Sequence, residues 1–173
     1  MQAILNSTPK AANPLPGGAA EAEGREYLTF RLGAEEYAIE ILKVQEIRGW
    51  ETPTAIANTP EFIKGVINLR GTIVPVIDMR VKLRLERADY TAMTVMIVLS
   101  VADRVVGMVV DAVSDVVRLT GEQIRAVPEI AATIDRQFLT GIGTMDERML
   151  ILLDIERLMV STEMGLVADA PAH

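Results

Sequence analysis

Two aspartates occupy matching places in this sequence, each closing an apolar run: Asp78 after Ile73–Ile77 and Asp154 after Leu150–Leu153. One carboxylate from each of two related lobes is the layout of an aspartic-hydrolase dyad, in which close carboxyls share one proton. Met79 and Arg80 follow the first, Ile155 and Glu156 the second, so the Asp-Thr/Ser-Gly turn of that chemistry is absent from both. Each Asp reads better as a cap that accepts from backbone N–H groups otherwise without partners. Other chemistries have less to work with. There is no cysteine, and the single histidine is His173. Thiolate catalysis, Cys-ligated metals and an internal imidazole base are therefore excluded. Gly65, Gly71, Gly141 and Gly143 fit neither GxGxxG nor GxxxxGK and read as turns rather than phosphate cradles. Glu40, Glu46, Asp111 and Asp115 lack the dense Asp–Gly spacing of a calcium loop and read as solvated strand faces. No catalytic residue, metal or cofactor is expected. Of the methionines, Met93, Met96 and Met149 read as core, while Met108 stays open between core and an adaptable surface.

The elements that carry these residues are mostly strands. The chain has 173 residues, half of them apolar, enough for one domain or two small ones. Seventeen Lys and Arg against 24 Asp and Glu give a net charge of −7, so binding to a phosphate backbone is not expected. The longest mostly apolar stretch, Thr91–Ala102, is far short of the ~20 residues of a membrane helix. The first ten residues lack the charged-then-apolar order of a signal peptide. Residues 1–25, rich in Pro, Gly and Ala, read as a disordered tail, as do residues 169–173, with one domain over 26–168 between them. Tyr27–Leu32 alternates as a half-buried strand, and Tyr37–Ile41 returns after a hairpin loop at Gly33–Glu36. Lys43–Ile47 follows a bend. Thr59, Pro60 and Glu61 have helix-start chemistry, with Gly65 as the stop. Val66–Asn68 and Thr72–Ile77 read as strands around a turn at Arg70–Gly71, with Pro75 implying an edge or a bulge. A helix is expected over Asp154–Leu166.

The second half repeats the first. Phe30–Ile47 aligns without gaps to Leu99–Val116 at an offset of 69, and Phe62–Met79 aligns to Phe138–Ile155 at an offset of 76. The difference of seven residues falls in Leu119–Gln137. The chain therefore reads as an internal duplication, with units of approximately 26–90 and 91–158. Each unit holds several short strands and is marginal alone, so the two must share a core. The expected fold is all-β: two packed small barrels with short helices and a C-terminal helix. Surface residues remain as functional candidates, with Val44 set among charged neighbours and Arg70 at a turn tip, where Arg is a common interface anchor.

Several motifs occur together and in order: Glu36–Gly49 (EYAIEILKVQEIRG), Ile56–Pro60 (IANTP), Phe62–Val66 (FIKGV), Asn68–Gly71 (NLRG), Ile73–Asp78 (IVPVID) and Arg104–Asp111 (RVVGMVVD). From about Tyr27 to Met164 the chain closely resembles the CheW family of bacterial chemotaxis coupling proteins. The resemblance implies two five-stranded SH3-like barrels around a shared core. It also implies a cytoplasmic, non-enzymatic adaptor at the inner face of membrane receptor arrays. The implied partners are the cytoplasmic tips of chemoreceptors (methyl-accepting chemotaxis proteins), the regulatory domain of the histidine kinase CheA, and other CheW copies in array rings. By the same resemblance, receptor contact falls on Val44, Glu46, Gly65, Arg70 and Val116, in a groove between the barrels. A kinase or ring contact falls near Arg125 and Ile130, where Ile130 departs from the aromatic common in related sequences. The alternatives are the same fold in a parallel pathway of pilus or gliding motility and, more remotely, the two-lobed aspartic hydrolase. A fused receiver domain is not expected, since nothing of domain size follows Ala168.

Overall fold

The computed structural model describes residues 24–85, 88–128 and 134–160, so most of the two expected tails and Ile130 lie outside the described residues. The elements run in the order β1 Arg25–Leu32, β2 Glu35–Glu40, a single 3-10 turn at Ile41–Lys43, β3 Val44–Gly49, β4 Ile63–Leu69, β5 Thr72–Asp78 and α1 Met79–Lys82. Then come β6 Val95–Val101, β7 Arg104–Val110, β8 Ala112–Leu119, β9 Ile124–Arg125, β10 Leu139–Met145, β11 Arg148–Leu153 and α2 Ile155–Val160. The fold is all-β and two-lobed, as expected. The first five strands and α1 match β6, β7, β8, β10, β11 and α2 one for one.

The two sheets do not follow the order of the chain. One has the order β3-β6-β7-β5-β4 and forms lobe 1; the other has the order β8-β1-β2-β11-β10-β9 and forms lobe 2. Each repeat thus keeps its last three strands in one lobe and sends its first two into the other. Lobe 1 spans residues 44–110 without a break, whereas lobe 2 is assembled from residues 25–40 and 112–153. The lent strands join their hosts through antiparallel ladders, β1 with β8 and β6 with β3, and through shorter parallel ones, β2 with β11 and β7 with β5.

This exchange accounts for the nearly continuous apolar character of β6 and β7, which are buried on both faces. Met96 and Val98 of β6 face the interior of lobe 1 with Val74, Val76 and Val109. Ile97, Leu99 and Val101 face the opposite way, into a core shared by the lobes with Leu28, Phe30, Tyr37, Ile39, Met108 and Phe138. Tyr27, Ala38, Val117, Leu119, Leu150 and Leu152 fill lobe 2. The shared core is the largest of the three clusters and holds the lobes together.

Several expectations need correction. The segment after Thr59 is not a helix: Ile63 N–H donates to Pro60 O, and β4 begins at Ile63. The pairing of Ile63 with Ile77, and the bond from Asp78 N–H to Phe62 O at 2.8 Å, draw this segment into the sheet and override its cap-like start. Gly65 is not a helix stop but a bulge residue at φ +136, buried so close to Thr54 that any side chain would strike that backbone. Pro75 lies on an inner strand, but the ladder of β5 with β7 covers only Val76–Asp78, so at Pro75 that side is unpaired and the strand is locally the edge expected of it. On the β4 side no donor is missed either, because its partner Val66 turns both backbone groups to Thr54, at 2.9 Å each. Met96 and Met108 are core, but Met93 and Met149 are exposed. Met93 sits in the turn before β6, and Met149 occupies the outward face of β11, opposite Thr144 and out of phase with buried Leu150. The longer second connection supplies a sixth, two-residue strand: β9 pairs with Ile142 and Gly143 of β10 where lobe 1 has only the Thr54–Val66 bridge. α2 is described over Ile155–Val160, and the expected extension to Leu166 lies outside the described residues.

Candidate binding surfaces

Val44 follows the 3-10 turn, pairs with Leu99 and rests half-buried against the shared core. Two residues on, past a bulge, Glu46 accepts from Arg70 Nη2 at 2.9 Å and from Arg48 Nη1 at 3.3 Å. Arg70 reaches it from the β4–β5 turn, where it takes φ 51 ahead of Gly71 at φ 93, and Asn68 Oδ1 accepts from Gly71 N–H. Because β3 and β4 are the two ends of this sheet, the Glu46–Arg70 pair ties the ends together. The Arg70 guanidinium, helped by Arg48, holds the Glu46 carboxyl below its usual range. Two of the expected receptor-site residues are thus in direct contact. Gly65 is buried beneath Thr54 and offers no surface of its own. Val116 lies in lobe 2, on β8 opposite Leu28. Arg125 is exposed on β9, its backbone opposite Ile142.

The repeat brings out surface residues that the sequence reading passed over. Ile47 is the counterpart of Val116 at the offset of 69; the two are 44% and 49% exposed, one on the outermost strand of each lobe. Ile73 and Met149 are counterparts at the offset of 76 and are 61% and 66% exposed. Single exposed apolar residues are ordinary, but the same two positions exposed in both units are not explained by folding. The repeat alignment carries this signal in the sequence, since it pairs Ile47 with Val116 and Ile73 with Met149.

Also unforeseen is a buried polar cluster around Asp78. The carboxylate caps α1 through Arg80 N–H and accepts from Arg80 Nε at 2.9 Å and Nη2 at 3.0 Å. Arg80 Nη1 continues to Asp111 at 3.2 Å, and Asp111 also accepts from Gly33 N–H at 2.7 Å, joining α1 to the β1–β2 turn of lobe 2. Tyr90 O–H donates to Asp78 Oδ2 at 2.6 Å, and its ring stacks on Trp50 with centroids 4.1 Å apart. Burial, and then the neighbouring Asp78 carboxylate, push the Tyr90 phenol up to about 12. With its oxygens taken by Arg80 and Tyr90, Asp78 is not one half of a proton-sharing dyad, and the hydrolase alternative falls. Asp154 does only the capping expected of it, accepting from Arg157 N–H at 3.0 Å. A cavity of about 610 Å³ lies against Arg80, Asp89 and Asp111. Arg80 and Asp111 there are already engaged with each other.

Among the described residues, no group of three or more acidic or histidine side chains is placed to hold a metal ion. None of their helices is long and apolar enough to cross a membrane.

A pair of interlocked β-lobes presenting matched apolar points and a charged rim defines a docking module. The comparisons agree. The family model described as a CheW-like domain matches residues 26–163. The chain is 60% identical over 156 residues to the chemotaxis protein CheW of Klebsiella aerogenes, covering 90% of this chain and 94% of that protein. It is 45% identical over 139 residues to a probable chemotaxis protein CheW of Rhizobium etli, covering 80% and 90%. The crystal structure of the scaffolding protein TtCheW from Thermoanaerobacter tengcongensis superposes with a TM-score of 0.74 at 31% identity, covering 81% of this chain and 95% of that one. The chain belongs to the CheW family, and its role is that of a non-enzymatic scaffold in chemotaxis.

Proposed function

We propose that this protein couples chemoreceptor cytoplasmic tips to the regulatory domain of a CheA-type histidine kinase, at the cytoplasmic face of a membrane receptor array. The observation that carries the reading is the pair of counterpart apolar residues, Ile47 and Val116, on the outermost strands of the two lobes, with the Glu46–Arg70 ion pair beside the first. Apolar anchors with a charged rim suit one face of a helix laid between the lobes, the mode by which a helical receptor tip would dock. Val44, Glu46, Ile47, Arg70 and Val116 are the contact residues in this reading. Gly65 acts indirectly by letting Thr54 close over β4. Ile73 and Met149, each on the outward face of its hairpin, support separate contacts with same-fold partners, namely the kinase regulatory domain and other copies in a ring. Arg125, and Ile130 beyond it, belong to the lobe 2 contact.

Calorimetric titration tests this with two ligands: the regulatory domain of the kinase from the same source and a receptor hairpin-tip fragment. Both are expected to bind saturably. Val44→Asp is expected to weaken receptor-fragment binding by about tenfold or more and to leave kinase binding and the circular dichroism spectrum unchanged. Arg70→Glu is expected to act in the same direction. Wild-type receptor affinity in a folded Val44→Asp protein removes the groove, and absence of kinase binding removes the coupling role.

A further inference from the structure

Leu42 is the most exposed large apolar side chain among the described residues, at 87%. It sits in the 3-10 turn Ile41–Lys43, which carries the chain from lobe 2 to lobe 1. Both of its neighbours are anchored: Ile41 packs against the shared core, and Lys43 pairs with Glu156 of α2 at 2.7 Å. The turn therefore presents Leu42 outward from a fixed frame.

A cavity of about 430 Å³ lies beside Leu42, lined also by Ile41, Glu40, Gly24, Arg25 and Arg118. Its charges are matched, Arg25 with Glu40 at 3.1 Å and Arg118 with Glu26 at 3.6 Å. A charged ligand would have to break these pairs, whereas an apolar side chain would cover Leu42 and leave them in place. Val116 is one pleat from Arg118 on the same exposed face of β8, so the cavity continues into the end of the groove proposed for the receptor tip.

The chain itself supplies an apolar occupant at this point. Residues 1–23 enter the fold at Gly24, which lines the cavity and whose carbonyl accepts from Arg118 Nη1 at 3.3 Å. The nearest large apolar residue before it is Leu15, nine positions upstream, with only Pro, Gly, Ala and Glu between. A linker of that length and composition has a root-mean-square span of about 16 Å. It holds its far end at an effective concentration on the order of millimolar. Even a contact of millimolar strength is then made in about half of the molecules.

We propose that residues 1–23 fold back so that Leu15 covers Leu42 in this cavity, and that the segment thereby competes with the receptor tip for the end of the groove. The fold-back stands on the cavity and the chain; the competition rests on the receptor reading.

The native chain has no cysteine, so an engineered pair reports one contact. The full-length double variant Leu15→Cys/Leu42→Cys is incubated with oxidised glutathione, and disulfide closure is followed on non-reducing gels. Two control variants pair Leu15→Cys with Ile73→Cys or with Met93→Cys, both at exposed positions away from the cavity. The first pair is expected to close within one chain about tenfold faster or more than either control. Equal rates overturn the fold-back. So does faster closure of Leu166→Cys/Leu42→Cys, which gives the cavity to the C-terminal segment, and so does a cross-linked dimer, which gives it to a second copy. Calorimetry with the receptor hairpin-tip fragment then reads the competition. Leu15→Asp is expected to tighten receptor binding by about two- to fivefold, the reciprocal of the uncovered fraction, and to leave kinase binding unchanged. Unchanged receptor affinity beside fast closure overturns the competition alone. No receptor binding by wild type or variant fails the receptor reading and the competition with it, while the closure rates still decide the fold-back.

Discussion

Asp78 and Asp154 stand at the same step of the repeat. Each follows the last strand of its unit, each caps the helix after it, and each donates its own N–H to a phenylalanine carbonyl, Phe62 or Phe138, at 2.8 Å. Two residues further the units part. Arg80 is buried among Asp78, Asp111, Tyr90 and two carbonyls, while Glu156 meets Lys43 at the surface. Asp78 is fully buried, and Asp154 is partly exposed. The cap depends only on neighbours along the chain, so duplication preserved it. The buried guanidinium depends on what covers it, and only unit 1 has a connecting segment passing over this point among the described residues.

The largest expected difference lies here. Asp78→Ala leaves Arg80 buried without its carboxylate and is expected to cost about 3–5 kcal/mol, whereas Asp154→Ala loses a cap worth about 1 kcal/mol. Urea unfolding of the two variants measures this, and equal losses would abolish the distinction. Next come the paired glycines. Gly65→Ala combines a left-handed backbone with a collision against Thr54 and is expected to cost about 3 kcal/mol. Gly141 has no such backbone conformation and faces Ile124 and Arg125, so Gly141→Ala is expected to cost about 1–2 kcal/mol by thermal melting.

The ion pairs within each lobe give a smaller contrast. Arg148 is bound by Glu36 at 2.7 Å and Asp115 at 3.0 Å, beside the buried Thr29, so Arg148→Ala is expected to destabilise by about 1–2 kcal/mol. Arg70 meets only Glu46 in an exposed pair, and Arg70→Ala is expected to leave the melting curve unchanged. The smallest effect is on pH. Arg148, and then Thr29, hold the Asp115 carboxyl below its ordinary value. Its contribution is therefore complete above about pH 4 and is lost as pH falls through the lower folded value. Asp115→Asn is expected to flatten the acid side of the stability profile slightly, and an unchanged profile would mean that the pair adds nothing.

Much of this was legible in the residues. The alternation in Tyr27–Leu32, the turn at Arg70–Gly71 and the two-part alignment yielded an all-β, duplicated chain, and motifs distributed over most of its length pointed to its family. The misreadings share one cause, since each substituted a local rule for a distant contact. Thr59–Glu61 has the chemistry of a helix start, but Ile63 is claimed by Ile77. Met149 reads as core until the register of β11 is known. At the candidate surface, Glu46 and Arg70 lie 24 residues apart, and nothing along the chain tells that one grips the other.

By itself the sequence determined the strands, the duplication, the capping aspartates and the absence of cysteine and internal histidine, because alternation, turn and cap chemistry and composition act over a few residues. Only the tertiary structure decided that each repeat lends its first two strands to the other lobe, that Arg80 is sealed beneath the connection, and that Ile47 and Val116 are left uncovered on matching outer strands. Those outcomes depend on which of several compatible strand edges come to pair. That choice is made by burying both faces of the lent strands at once, a condition no short stretch of sequence can express.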